Sequence, residues 1–386
     1  WIGNWPPLHG ATARSLLLMS NLRVLLAPDS FKGSLSAPEV ARALAEGIAN
    51  TNAQAECIRH PLADGGEGTL DVLVAAGFGL VQVNSVDSKA GDIIAHVARR
   101  DDIVAVESAQ AAGFDPGATP VDALMASSAG VGMMISSALD MPISSLYLAV
   151  GGSATTDGGA GMLHALGATF WDGETQIIPT GGGSLAEIRS VEWGGLHPRL
   201  REVSVTVLTD VDNPLLGRNG AARIFGPQKG ADSQGVELLE KGLHHFAQIV
   251  GPAHAVAPGS GSGGGIGFAA LAALGATRVP GARAIMGITG FDSALESASL
   301  VITGEGSFDD QSAHGKVPSW VVGAAVARGI PVVVVCGVDK RSATSVTATP
   351  ALSVYSLLDI EPDVNRCIDN AYELLVQVGQ EIGRTI

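Results

Sequence analysis

The feature that most constrains this chain is a series of buried-strand signals, nearly all closed by a turn rich in glycine or polar residues. From Arg23, RVLLAP leads into the loop DSFKGSLS and then into APEVARALAEGIAN. There Ser36 and Glu39 stand at capping-box spacing, and Val40, Leu44 and Ile48 fall on one helical face. Further strands are predicted at DIVAVESA (102–109), SLYLAV (145–150), VSVTVLTD (203–210), LVITGEG (300–306) and PVVVVCG (331–337). Helical patterns lie between them, among them SSAGVGMMISSAL, GGAGMLHALGA, GVELLEKGLHHFAQIV, IGFAALAALGA, VPSWVVGAAVARG and the stretch from Val364. Alternation of strand and helix predicts an α/β fold with a mainly parallel sheet, and VVVV at 332–335 suits a strand buried on both faces.

With 386 residues the chain is long enough for two domains. The first βα unit and the βαβ unit from Leu300 to Val335 share a character, so one domain interrupted by the middle of the chain is expected. No clean linker and no internal repeat stand out. Glycine, 51 residues without collagen periodicity, marks many special loops in a chain that is 46% hydrophobic and 16% charged. A net charge of −15 argues against nucleic-acid and membrane-surface partners, although local basic groups can still bind a small anion. Cys57, Cys336 and Cys367 are odd in number, far apart and without a CxxC, which argues against a disulfide framework or a zinc site and suits a reducing cytoplasm. The apolar run at Leu16 to Met19 is too short for a signal peptide or a membrane span. Residues 1–20 read as a non-native or disordered extension, the first 18 of them preceding an expected natural start at Met19, or else as a loosely docked arm.

In parallel α/β sheets ligands bind beyond the carboxyl ends of strands, where turns feed helix N-termini. The loop PDSFKGSLSA supplies Asp29, Ser30, Lys32 and Ser34 there, either to bind an anion or merely to form a turn with Ser36 as a cap. In ADGGEGT, Asp64 and Glu67 are set among Gly65, Gly66 and Gly68, more glycine than a plain surface turn needs, which points to metal or hydroxyl contacts. GGSATTDGGAGM offers the amides near Gly151, Gly152 and Ser153 to phosphate and Asp157 to a metal or a sugar hydroxyl.

TDVDNPL sets Asp210 and Asp212 two apart, which in extended geometry points both carboxylates one way, as a Mg2+ site would want; ordinary turn chemistry before Pro214 is the other reading. FGPQKGA offers Gln228 and Lys229 as a phosphate-facing pair, against the plainer reading of a solvated lysine. GEGSFDDQSAHGK is the richest cluster, with Glu305, Asp309, Asp310, Gln311, His314 and Lys316. It is no Walker A loop, because Asp310 stands where the first glycine belongs. The GxGxxG from Gly259 to Gly264 lacks a convincing preceding strand, so it reads as a flexible loop onto the helix near Ile266 and only remotely as a nicotinamide signature.

In this order, PDSFKGSLSA, PLADGGEGT, GGSATTDGGAG, TDVDNPLLG, ARIFGPQKGA and TGEGSFDDQSAHGK closely resemble the bacterial glycerate kinase family, type 1, from about Val24 to the C-terminus. The resemblance implies transfer of the ATP γ-phosphoryl group to D-glycerate with Mg2+, commonly giving 2-phosphoglycerate, with 3-phosphoglycerate left open. It implies a two-domain α/β fold with a cleft between discontinuous domains. We accordingly expect a Rossmann/flavodoxin-like domain from 21–75 plus 288–386, with a second α/β domain inserted at 76–287. By motif position it carries over Asp29, Ser30, Lys32, Asp64, Glu67, Asp157, Asp210, Asp212, Glu305, Asp309, Gln311 and Lys316. Asp210 and Asp212, or Asp309, would hold Mg2+, and a nearby carboxylate would orient the glycerate hydroxyl. Lys32 and Lys316 would neutralise phosphates, or one of them would grip the glycerate carboxylate. A homo-oligomer stays open.

Two positions depart from the family pattern. Met133 stands where such chains usually read the acid of GxGE, and Ser307 where they read the arginine of GEGRxDxQ. Loss of a bidentate phosphate donor leaves a second reading, a weakened relative that binds a metabolite as a sensor.

Overall fold

The computed structural model describes residues 22–309, 316–341 and 352–386. Two compact units divide the chain: Trp1–Asp64, Asp71–Ala76 and Ala282–Ile386 form the first, Gly65–Leu70 and Gly77–Gly281 the second. The expected N-terminal extension and the start at Met19 lie outside the described residues.

The first unit holds five strands, all parallel, in the spatial order Glu56–Arg59, Arg23–Leu26, Leu300–Phe308, Val332–Asp339, Leu352–Ser356. Numbered along the chain within this unit, that order is 2-1-3-4-5, the flavodoxin type, whose direction of winding reverses between the first and third strands. Apolar runs form the central strands because both faces are covered: Val24, Leu26, Leu300, Ile302, Val333 and Val335 pack in one cluster with Leu44, Ile48, Leu375 and Ile382, and Leu25, Val301 and Val334 on the other face are fully buried too. The helix Ala37–Thr51 begins at Ser36, whose backbone N–H and hydroxyl both donate to the Glu39 carboxylate at 2.9 and 2.8 Å. Against it lies Ala371–Thr385, brought close by two glycines. A Cβ on Gly47 would sit 2.1 Å from the Val376 carbonyl oxygen, and one on Gly379 2.6 Å from that of Leu44.

The second unit is built on a six-stranded sheet in the order Thr277–Val279, Ser204–Leu208, Ser145–Ala149, Ile103–Glu107, Asp92–Arg100, Gly79–Val86. The first four run parallel, whereas the last two join as an antiparallel hairpin. That hairpin escapes a pattern reading because its faces are unevenly buried and Leu80 and Ile94 are exposed, so no clean run marks it. A small antiparallel sheet, Thr169–Trp171 with Gln176–Ile177 and Ser190–Glu192, was likewise not expected. Phe170, Phe246 and Phe268 are fully buried and stack through the core, with ring centroids 6.1 and 6.2 Å apart. No helix among the described residues is long and apolar enough to cross a membrane.

Candidate active site

In the first unit the reversal of strand order opens a crevice at the carboxyl ends of Arg23–Leu26 and Leu300–Phe308. The two strand ends are tied together there. Asp29 N–H donates to the Gly304 carbonyl at 2.9 Å, and the Thr303 hydroxyl donates to the Ala27 carbonyl at 2.8 Å. A cavity of about 320 Å3 lies at this point. Its lining includes the polar side chains of Asp29, Ser30, Lys32, Asp64, Glu305, Ser307 and Lys316 together with apolar ones.

Asp29 is a strongly perturbed acid of this cavity. It is 6% exposed, and its Oδ1 accepts from the Ser30 N–H at 2.6 Å. Burial pushes its carboxyl up to about 8; the Asp64 carboxylate adds to the rise, Lys32 and the Ser30 N–H oppose it, and Glu305 adds slightly. Lys32 pairs with Asp64 at 3.2 Å, and that carboxylate leads in raising the Lys32 ammonium above its ordinary value. Lys316, the cap residue of the helix Val317–Val326, pairs with the buried Glu305 at 3.5 Å. The cavity therefore brings together one carboxyl that is protonated at neutral pH, two carboxylates and two ammonium groups. Such a set can take a proton from a hydroxyl and hold anions beside it.

Of the other predicted residues in this unit, Ser34 lines the same cavity and its hydroxyl donates to the Ile368 carbonyl at 2.9 Å. Asp309 follows the strand that ends at Phe308 and is not among the cavity's lining residues. Asp310, Gln311 and His314 lie outside the described residues.

The second unit holds the remaining motifs, and several are occupied by their own fold. Asp157, expected to meet a metal or a ligand hydroxyl, is fully buried. Its carboxylate accepts from Ser128 N–H at 2.8 Å, Ser128 hydroxyl at 2.7 Å, Gly159 N–H at 3.0 Å and Gly161 N–H at 3.2 Å. Lys229, expected to face phosphate, is 5% exposed and donates to the Thr155 carbonyl at 2.6 Å. Burial lowers its ammonium to about 8, with Asp157 opposing the shift. Gln228 beside it is exposed.

Asp210 and Asp212 do not act as a matched pair. The strand stops at Leu208 and Asp210 sits in a bend, so strand alternation does not govern them. Asp210 accepts from Gly281 N–H at 2.8 Å, while Asp212 pairs with Arg278 at 2.6 Å. Among the described residues no three His, Cys, Asp or Glu side chains converge to hold a metal ion.

The boundary between the units falls inside ADGGEGT, with Asp64 in the first and Gly65 in the second. Gly65 and Gly66 are buried against Gly151, whose Cβ, if it had one, would meet Gly66 Cα at 2.6 Å; Gly151 N–H donates to the Gly65 carbonyl at 3.2 Å. Glu67 is exposed, Ser153 is buried, and the Ser153 hydroxyl lies 2.9 Å from that of Thr155. The Gly152 carbonyl accepts from Phe114 N–H at 2.8 Å. The GxGxxG segment leads into the helix Ile266–Ala273; Gly264 has φ +65°, and a Cβ there would lie 1.7 Å from the Thr155 carbonyl oxygen. Gly264 packs against the Thr155–Gly158 turn, Gly259 against Arg278 and Gly261 against Pro214, and a 3-10 turn, Pro252–His254, precedes the motif in place of a strand.

Two groups escaped the sequence reading. Glu107, 2% exposed, accepts from Gly68 N–H at 3.3 Å and Leu70 N–H at 2.9 Å, and so fixes the ADGGEGT loop. Its signal was available, an acid closing an otherwise apolar strand. The apolar wall of the cavity, with Leu357, Leu358 and Ile368, comes from a segment with no chemical signature.

Residues 24–386 match the profile of the Glycerate kinase family. The chain is 36% identical to the Glycerate 2-kinase of Escherichia coli (strain K12) over 95% of its own length and 98% of that protein's. It is also 36% identical to the Glycerate kinase of Bacillus subtilis (strain 168), again over 95% and 98%. A crystal structure assigned to a glycerate kinase 2 of Salmonella typhimurium LT2 superposes with a TM-score of 0.77 at 33% identity, over 95% of this chain and 98% of that one. With its flavodoxin-type strand order and a cavity of acids and lysines where that order reverses, this chain belongs to the glycerate kinase family.

Proposed function

We propose that this enzyme transfers the γ-phosphoryl group of ATP to a hydroxyl of D-glycerate, and that the cavity of the first unit carries the chemistry. The observation that supports the reading best is Asp29, a buried carboxyl raised to about 8 and set among Lys32, Lys316, Asp64 and Glu305. The glycerate oxygen attacks the γ-phosphorus, the bond from that phosphorus to the ADP oxygen breaks, and the hydroxyl proton passes to Asp29 in its ionised form, whose share grows as pH rises toward about 8. Lys32 and Lys316 stabilise charge on the transferring phosphoryl oxygens, where fixed cations contribute most. The name of the Escherichia coli relative favours 2-phosphoglycerate as product over 3-phosphoglycerate.

Mg2+ fits as an ion carried on the ATP phosphates and touched by one or two carboxylates, with Asp64 and Glu305 the candidates, since such sites are completed by substrate. Bound there it would neutralise the phosphate charge. Asp309, Ser30 and the exposed Glu67 and Gln228 remain proposed ligand contacts, and we propose that the two units are the family's two domains. Cys57, Cys336 and Cys367 are all free thiols, which suits a cytoplasmic enzyme.

The test is purified protein with ATP, Mg2+ and D-glycerate, followed by ADP release and phosphorus NMR of the product. Metal-dependent ADP with a 2-phosphoester is the expected outcome. No phosphoester, with glycerate still bound by calorimetry, would instead support the sensor reading that Ser307 and Met133 motivate.

A further inference from the structure

Between Asp29 and the helix cap at Ser36 the chain closes on itself as a small ring. The Phe31 N–H donates to the Leu35 carbonyl at 2.8 Å, the Leu35 N–H donates back to the Phe31 carbonyl at 3.0 Å, and the Ser34 N–H donates to that same carbonyl at 2.8 Å. Gly33 turns the ring at φ +80°, which glycine reaches without strain. Bonded to itself in this way, the ring moves as one piece, and Lys32 rides on it. The Lys32 side chain keeps 69% of its surface in water, so packing around its stem does little to hold the ammonium 3.2 Å from Asp64. Where that cation stands is therefore set by where the ring sits.

The ring is seated on the core of the first unit. Phe31 is buried in the same apolar cluster as Cys367, a residue of the helix Val364–Asp369. In the last turn of that helix the Ile368 carbonyl accepts from the Ser34 hydroxyl at 2.9 Å, a bond between segments 334 residues apart. Carbonyls at a helix end lack partners within the helix, which suits a donor from elsewhere. We propose that Ser34 is a positioning residue for phosphoryl transfer: its hydroxyl clamps the ring to the helix Val364–Asp369 and so holds the Lys32 ammonium beside Asp64. This deepens the kinase reading and rests on it for the role of Lys32. Ser34 acts through that lysine and not on the substrate. A fixed cation stabilises transferring phosphoryl oxygens only from the right place, and small displacements are costly.

Ser34→Ala removes the clamp, whereas Ser34→Thr keeps a hydroxyl at the same position. Amide hydrogen exchange in the Phe31–Leu35 ring should speed up about ten-fold in Ser34→Ala, the scale of one lost hydrogen bond, and stay within about two-fold of the parent in Ser34→Thr. In parallel, kcat/KM for D-glycerate should fall about ten-fold in Ser34→Ala and recover in Ser34→Thr. Lys32→Met should lower it further, and Ser34→Ala added to Lys32→Met should change it by less than about two-fold, because no cation is left to place. Unchanged exchange in Ser34→Ala overturns the clamp, as does exchange equally fast in Ser34→Thr. Faster exchange with unchanged kcat/KM overturns the positioning role. An equal loss from Ser34→Ala with and without Lys32 also overturns it, by making the hydroxyl a ligand contact in its own right. If exchange responds as expected but the parent never phosphorylates D-glycerate, the clamp stands and the glycerate reading falls.

Discussion

Asp29 and Asp157 are both buried, both follow a parallel strand and both stand in loops that carry glycine, yet their surroundings give them opposite roles. Asp157 in the second unit is met by four donors, three of them backbone N–H groups, so its charge is fully committed to holding its loop. Asp29 in the first unit, among the described residues, accepts from Ser30 and stands near two further carboxylates. Burial with donors makes a carboxylate a structural anchor. Burial beside like charge makes it a group that takes up a proton near neutral pH.

The comparison breaks first, if it breaks, at activity. Asp29→Asn keeps shape and hydrogen-bonding capacity but cannot accept the hydroxyl proton, so kcat/KM for glycerate should fall about 10²–10⁴-fold. Urea unfolding at pH 7 should show the variant at least as stable as the parent, because the parent must take up a proton on folding there and asparagine need not. Activity within ten-fold of the parent would remove Asp29 from the proton-transfer step.

Asp157→Ala should do the reverse and act on stability. It leaves Ser128, Gly159 and Gly161 donors buried without an acceptor and takes the nearby anion from Lys229, at a cost of about 3–5 kcal/mol. A loss under about 1 kcal/mol in urea denaturation would mean the loop repacks and the anchor is dispensable.

Titration separates the units further. Asp29 has a folded value far above its ordinary one, so the folded state binds the extra proton. Its stabilising contribution is full below about pH 4 and declines as pH rises to about 8, by up to about 1.4 kcal/mol per unit. Lys229 has a folded value lowered to about 8, so the unfolded state holds the extra proton, and stability recovers as pH climbs from about 8 toward the ordinary lysine value. Stability of the parent relative to Asp29→Asn should therefore fall between about pH 4 and 8. Relative to Lys229→Met it should rise above about pH 8. Parallel curves for either pair would show that the group titrates alike in both states.

Much of this contrast was legible in the sequence, for reasons that differ by residue. All six strands read from apolar runs are present, because a strand buried on both faces must be apolar and β-branched. The hairpin Gly79–Val86 and Asp92–Arg100 was not legible, since exposed Leu80 and Ile94 blur its alternation. Asp29, Lys32, Asp64, Glu305 and Lys316 were all named from glycine-bearing loops at strand ends, and the fold brings them to one cavity. Asp157 and Lys229 were named by the same logic and are buried in their own unit. Spacing reports where the backbone turns, but whether a side chain then faces ligand or interior depends on donors from distant segments, here Ser128 and Thr155. No local pattern carries that.

Ser307 sharpens the comparison with the smallest expected effect. It lines the Asp29 cavity where the family resemblance leads one to expect arginine, between groups whose charges nearly balance: two lysines against Asp64 and Glu305, with Asp29 neutral below about pH 8. Ser307→Arg would add a cation with no partner already assigned to it. The added charge favours ionised Asp29, so the rise of kcat/KM with pH should move to lower pH, and it attracts phosphate, so the KM for ATP should fall several-fold, about 1 kcal/mol. The pH shift is the more telling of the two, because a remote surface arginine could strengthen anion binding generally without moving it. An unmoved pH profile beside a lower KM would mean that Ser307 is near the nucleotide but electrostatically remote from the base. The proton acceptor would then have to be sought elsewhere in the cavity, at Asp64 or Glu305.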